Sequence, residues 1–246
     1  MKKHFAVVAL LAFAPQANAD SLAARETQFD DIRIVEGARV EGSTLRFARV
    51  EQDTRPAGGM YLCGALAADD ALAAAETVAS ALQLLPASAL ARLRLRYVVL
   101  CSRALAGGQP IGGIPVPPLD LLMLAVGGER ADLRHRTLHE SWHLAEYRGG
   151  SFNDAEWSAQ FGGYAHHYPA TVRRSPVGSG KPGFVNEYGE AYPHEERAEL
   201  FAFLLLDPDG TGAQLRRRDD TVLKRKAQAV AERAESLLGV DLSRGL

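Results

Sequence analysis

A pentapeptide near the middle of the chain, His139-Glu140-Ser141-Trp142-His143, constrains the fold more than any other stretch. It has the pattern H-E-x-x-H. Two histidines four residues apart share one face when the backbone is helical, and both imidazoles can then reach one ion. The flanking residues agree, since Glu129 to Tyr147 read as a helix stopped by Gly149-Gly150. Neutral imidazole suits zinc, which in catalytic sites keeps one coordination position for water. Glu140 falls at the edge of the same face, placed to take a proton from that water. The pentapeptide alone is suggestive, because an ordinary helix can also carry two surface or core histidines.

A third ligand is needed. The metzincin pattern would put Gly at 146 and His at 149, but Glu146 and Gly149 stand there. The other common source is a later helix. Pro193 is suited to open one, running through Leu206. Glu195, Ala198, Glu199 and Ala202 lie on one face of it, and the rest is apolar. Carboxylates on a buried face require a partner. Glu195 is therefore read as the third ligand. Glu199, one turn on, is read as the acceptor that fixes the tautomer of a ligand histidine. Solvated acids favoured by the helix dipole would explain Glu195 and Glu196 easily, and Glu199 less well. Asp154, Glu156 and Glu187 are reserve third ligands. His135 either extends the ligand face or caps its exposed start; His166, His167 and His194 could bind metal or substrate, and are more simply read as solvated loop residues. The stretch Gly178 to Gly183 matches G-x-G-x-x-G, yet no strand precedes it and Pro182 interrupts any helix, so a dinucleotide site is not expected.

The order His139-Glu140-x-x-His143, then Tyr188-Gly189, then Glu195-x-x-Ala198-Glu199-x-Phe201, resembles the catalytic domain of the anthrax toxin lethal factor group of zinc peptidases. The secreted Pro-Pro endopeptidases belong to the same group. The resemblance spans roughly 139–201. It implies a gluzincin: His139, His143 and Glu195 as zinc ligands, Glu140 as general base, and Tyr188 as a hydroxyl that helps stabilise the oxyanion. A phenol O–H can do so by donating to a tetrahedral intermediate. The sequence departs from the toxin at Glu196-Arg197, where two aromatics stand there, and the toxin's substrate is not implied.

The remaining sequence sets the frame. The chain has 246 residues and a net charge of −2, with no basic excess to suggest nucleic acid as a partner. Lys2, Lys3, an apolar run from Phe5 to Phe13 and Ala17-Asn18-Ala19 read as a secretion signal cleaved after Ala19. That run is far shorter than the roughly 20 residues a membrane span takes. The expected product is a secreted or periplasmic single domain over 20–246, with a small β-hairpin within 20–55. Leu95 to Cys101 and Leu119 to Val126 read as buried strands, 107–118 as loop or edge, and 151–187 as a long loop. Helices are expected over 67–85, capped by Asp69 or Asp70, over 88–93 and over 220–238. Asp207-Pro208-Asp209-Gly210 reads as a break. Cys63 and Cys101 lie in strand-like surroundings, and a disulfide and two buried thiols are equally compatible with them.

The expectation is an α+β, zincin-like domain: a small mixed sheet, the H-E-x-x-H helix, and a helical C-terminal half. Its expected function is zinc-dependent hydrolysis of a peptide or protein substrate. Two other classes share these residues: a zinc-binding protein without turnover, and an extracellular partner-binding protein.

Overall fold

A computed structural model describes residues 32–55, 60–127, 129–150, 154–168, 177–217 and 219–246. The proposed signal at 1–19 lies outside them. Among the described residues there are eight strands and seven α-helices, a mixed α and β architecture.

The main sheet has five strands. In chain order they are β1 (Ile32–Ile34), β2 (Arg46–Val50), β4 (Tyr97–Cys101), β7 (Gly113–Val116) and β8 (Leu121–Ala125). Their spatial order is β1-β2-β4-β8-β7. β2, β4 and β8 run parallel, and the outer strands β1 and β7 are antiparallel to their neighbours. The hairpin expected within 20–55 is thus an edge of this sheet, because β2 pairs with β4 (Ala48 opposite Val99) as well as with β1.

Burial on two sides explains the unbroken apolar runs. Alternate residues of each strand point to opposite faces. Phe47, Val98, Leu100, Leu122 and Leu124 join the core shared with the helices. Ala48, Val50, Val99, Cys101, Leu121 and Met123 form a second core on the other face. The stretch 107–118, expected to be loop or edge, supplies the edge strand β7 and also β6 (Gln109–Ile111), which completes a small sheet, β3-β5-β6, with β3 (Tyr61–Cys63) and β5 (Ala104–Ala106). A Cys63–Cys101 disulfide ties β3 to β4 across a Cα–Cα distance of 5.1 Å.

The helices are α1 (Ala68–Leu82), α2 (Ala87–Leu93), α3 (Arg130–Gly149), α4 (Asp154–Phe161), α5 (Pro193–Leu206), α6 (Pro208–Arg217) and α7 (Thr221–Leu238). Three differ from expectation. Neither Asp69 nor Asp70 caps α1; both lie in its first turn and Ala67 is the N-cap. The region 151–187 contains α4, anchored by the buried Trp157. The expected break at 207–210 is one residue long: Asp207 leaves the helical region, and its Oδ1 accepts from Gly210 N at 3.0 Å, so Pro208 opens α6 directly.

α3 crosses beneath the sheet, packing on β7, α1 and α5. It ends where the chain meets α7, since a Cβ on Gly149 would come within 2.0 Å of Leu237 Cδ2. No helix among the described residues is long and apolar enough to cross a membrane.

The disulfide closes a loop across a sequence separation of 38 residues. In the chain-entropy account a loop of that length is worth about 4 kcal/mol. A Cys63→Ala, Cys101→Ala double variant should lose stability of that order in denaturant titration, and reductant should shift the wild-type midpoint in the same direction while leaving the variant unmoved.

Candidate metal centre

α3 and α5 each carry their functional groups at one-turn spacing, and the two rows meet. His135, His139 and His143 come from α3; Glu195 and Glu199 come from α5. His139 Nε2 lies 3.0 Å from Glu195 Oε2 and 3.0 Å from His143 Nε2, and His143 Nε2 lies 3.4 Å from Glu195 Oε2. The structure therefore brings His139, His143 and Glu195 together as three donors that could hold a metal ion.

The other side of the His139 ring faces Glu199. His139 Nδ1 donates to Glu199 Oε1 at 2.8 Å, and His135 Nε2 donates to the same oxygen at 2.9 Å. Such an acceptor leaves Nε2 of His139 as the ring's free ligand atom. His135 is not a cap at an exposed helix start. It is buried, 4.4 Å from the Phe203 ring, and its position on the His139–Glu199 contact makes a second group of possible metal donors. Asn186 Nδ2 also donates to Glu199, while its Oδ1 accepts from Gly189 N at 2.8 Å. Space is tight at Gly189: a Cβ would sit 3.2 Å from both Asn186 Oδ1 and the Glu196 Cα. This contact sets the loop that presents Tyr188.

Opposing effects fix the charges. Burial disfavours the imidazolium of His139, but hydrogen bonds to Glu195 and Glu199 outweigh it and raise the pKa well above the usual value. Burial pushes Glu195 up, and its contacts with His139 and His143 pull it well below the carboxylate range. Glu199 is lowered in the same way, by His135 and His139 against the cost of burial. Glu140 is raised, chiefly by burial. Its side chain faces the sheet edge, where a Cβ on Gly113 would lie 2.9 Å from Glu140 Cγ.

The tyrosines complete the surroundings. The Tyr188 ring is 5.9 Å from that of His139, and burial keeps its hydroxyl protonated well beyond the normal range. It stacks on Tyr168 at 5.7 Å, and Tyr168 Oη donates to Glu195 Oε1 at 2.6 Å. Tyr168 was missed from sequence. Its only signal was membership of an aromatic-rich stretch. His194 is also closer than a solvated loop residue would be. Its Nδ1 is 3.1 Å from Asp154 Oδ2 and its Nε2 is 3.6 Å from Glu195 Oε1. His166 and His167 are exposed.

The reserve ligands lie elsewhere. Asp154 accepts from Arg197 Nη2 at 2.8 Å, and Glu156 and Glu187 are exposed. The departure at Glu196-Arg197 is structural: Glu196 pairs with Lys226 at 2.8 Å, and Arg197 Nε donates to Glu146 at 2.5 Å. Burial pushes Glu196 up to about 7 against the pull of Lys226.

β7 closes one side as the last strand of the sheet. Ala125 N donates to Gly112 O at 2.9 Å, which makes Gly112 and Ala125 a hydrogen-bonded pair. By antiparallel alternation, Gly113 and Pro115 turn their backbone groups to the open side. Pro115 offers only a carbonyl there. No protein-family model, curated protein or solved structure matches the chain.

Two outcomes check this geometry. Because contacts with Glu195 and Glu199 raise the pKa of His139, a divalent metal taken by its Nε2 should release protons on binding, visible as a dependence of calorimetric heat on buffer ionisation enthalpy. Glu199→Ala should weaken metal binding about 10–100-fold, the usual cost of removing a carboxylate behind a ligand histidine; competition with a chromogenic chelator reads it.

Proposed function

We propose that this chain is an exported zinc-dependent endopeptidase with a zincin-like fold. The observation that carries the reading is the convergence of His139 Nε2, His143 Nε2 and Glu195 Oε2, with the Glu140 carboxyl close enough to interact electrostatically with all three residues. Their separations of 3.0–3.4 Å are close to the roughly 3.3 Å edge of a tetrahedron of donors around zinc. Two imidazoles and one carboxylate are a donor set zinc takes readily, and three protein ligands leave one position open. These residues would hold the ion, with Glu199 orienting His139 and Tyr168 occupying the second oxygen of Glu195. Bound there, zinc supplies Lewis acidity that polarises a peptide carbonyl and brings the pKa of water to about 7.

The protein's own groups divide the remaining work. Glu140 accepts the proton of the attacking water on its carboxylate and delivers it to the leaving amine nitrogen. Tyr188, kept neutral by burial, donates its hydroxyl proton in a hydrogen bond to the developing oxyanion. The open edge of β7 can take the substrate as an added strand through the Gly113 N–H and C=O and the Pro115 C=O, a general mode of peptide recognition. Export is supported by the Cys63–Cys101 disulfide, since such bonds persist in oxidising compartments, and by the signal-like N-terminus.

Incubation with a diverse peptide pool and added zinc, read by mass spectrometry of new termini, tests the reading. Wild-type protein should cut, and Glu140→Gln should bind zinc without cutting. A Glu140→Gln protein as active as wild type overturns the assigned base. Glu195→Ala should lower zinc stoichiometry at micromolar metal, and an unchanged stoichiometry moves the third ligand elsewhere.

A further inference from the structure

Arg136 stands one turn before Glu140 on the side of α3 that meets β7. Its guanidinium lies over Gly112, where a Cβ would come within 2.8 Å of Nε, just as a Cβ on Gly113 would come within 2.9 Å of Glu140 Cγ. Two consecutive glycines thus open the start of β7 to two consecutive turns of the helix. Nη1 of Arg136 donates to the Ala125 carbonyl at the end of β8. That contact fixes the side chain and uses one of its five N–H donors.

Among the described residues, no carboxylate forms an ion pair with Arg136. The acids whose fields it feels are Asp132 and Glu140, one turn to either side on its own helix, and its interaction with each is through space rather than by hydrogen bond. Burial lowers its pKa. Two other arginines of this region are neutralised within the protein: Arg148 pairs with Asp120, and Arg197 with Glu146 and Asp154. A half-buried guanidinium with no paired anion among the described residues, held beside the strand edge, is arranged to receive one.

We propose that Arg136 determines specificity by binding a carboxylate of the peptide seated on β7, either an Asp or Glu side chain or the C-terminal carboxylate. The inference rests on the peptidase reading of the Glu140 site. A strand advances about 3.3 Å per residue. A peptide paired at Gly113 therefore carries the residue next to the one over Glu140 alongside Gly112, within reach of the guanidinium. A planar fork of donors matches a carboxylate at two points, which a lysine cannot reproduce.

The test uses three pools of fluorescein-labelled decapeptides. One carries a single Asp or Glu and an amidated C-terminus, one has no acidic side chain but a free C-terminus, and one is neutral and amidated. Anisotropy is measured on zinc-supplemented Glu140→Gln protein, so that peptides stay intact, with Arg136 as Arg, Gln or Lys. One carboxylate pool should bind at least tenfold more tightly than the neutral pool, and that pool names the source. The preference should vanish in Arg136→Gln and weaken in Arg136→Lys. Equal binding of all three pools to the protein with Arg136 overturns the proposal without reference to any variant, as does a preference that survives a folded Arg136→Gln. Cleavage by wild-type protein is followed on the same pools. Carboxylate peptides that bind through Arg136 and are never cut count against the peptidase reading alone, whereas cutting indifferent to carboxylates counts against the role of Arg136 alone.

Discussion

One imidazole held between two carboxylates organises the helical half of this protein. His139 meets Glu195 through Nε2 and Glu199 through Nδ1, and both acids come from successive turns of α5. The histidines of α3 have the same spacing, so a row of rings and a row of carboxylates interlock where the helices cross. All but His143 are buried. A charge left alone at such depth costs several kcal/mol, and breaking a buried pair is typically worth 3–5 kcal/mol. Each group therefore depends on the others, and the chemistry proposed for the site cannot be separated from the packing of α3 on α5.

The same logic extends around α5. Residues 195, 196, 197 and 199 are charged and buried within little more than one turn. Successive helical residues turn by about 100°, so each points a different way. Glu195 and Glu199 face α3. Glu196 faces Lys226 of α7, whose Nζ also donates to the Gly183 carbonyl at 2.7 Å and lies 3.8 Å from the centre of the Phe184 ring. Arg197 faces Glu146 near the end of α3 and Asp154 at the start of α4. α5 is thus gripped from three sides by charge pairs and from its remaining surface by Leu200, Phe201 and Leu204 in the core. That fixity is what a centre needing donors placed to within about 0.5 Å requires of its supporting shell.

Much of this was legible in residue spacing. The one-turn interval of His139 and His143 placed them on a helix face, and Glu199 stood out as an acid amid apolar neighbours. Local pattern suffices at 193–206, where the helix has the bounds that its Pro193 start and apolar run suggest. Local pattern carries no signal where partners are distant in sequence. Nothing near Arg197 announces Glu146, 51 residues earlier, and nothing near Tyr168 announces Glu195. The pairing of Cys63 with Cys101 depends on β3 crossing over the end of β4, a tertiary fact. The stretch 151–187 was opaque for a different reason. Among its described residues, Trp157, Tyr164, Phe184 and Asn186 are buried at positions that follow no single period, because contacts leading to α5 and α7 fix them.

The sheet edge beside the site shows how closely strand and helix are fitted. Gly113 is opposite Leu124, and a Cβ there would meet Leu124 Cδ2 at 2.7 Å, Glu140 Cγ at 2.9 Å and the Met123 carbonyl at 3.1 Å. The first two contacts are side chains that could shift, and the third is backbone of the adjacent strand. Any larger residue must therefore push β7 outward or displace Glu140. An exposed strand edge is also a hazard, since unpaired N–H and C=O groups invite pairing with other chains. Pro115 removes the second outward donor, two residues along, and so shortens the stretch a foreign strand can extend over. What remains open is a single backbone donor at Gly113, next to the carboxylate of Glu140 and one helical turn from the guanidinium of Arg136. The same two glycines that let the helix side chains reach the edge thus leave one short, chemically defined landing point for an incoming chain.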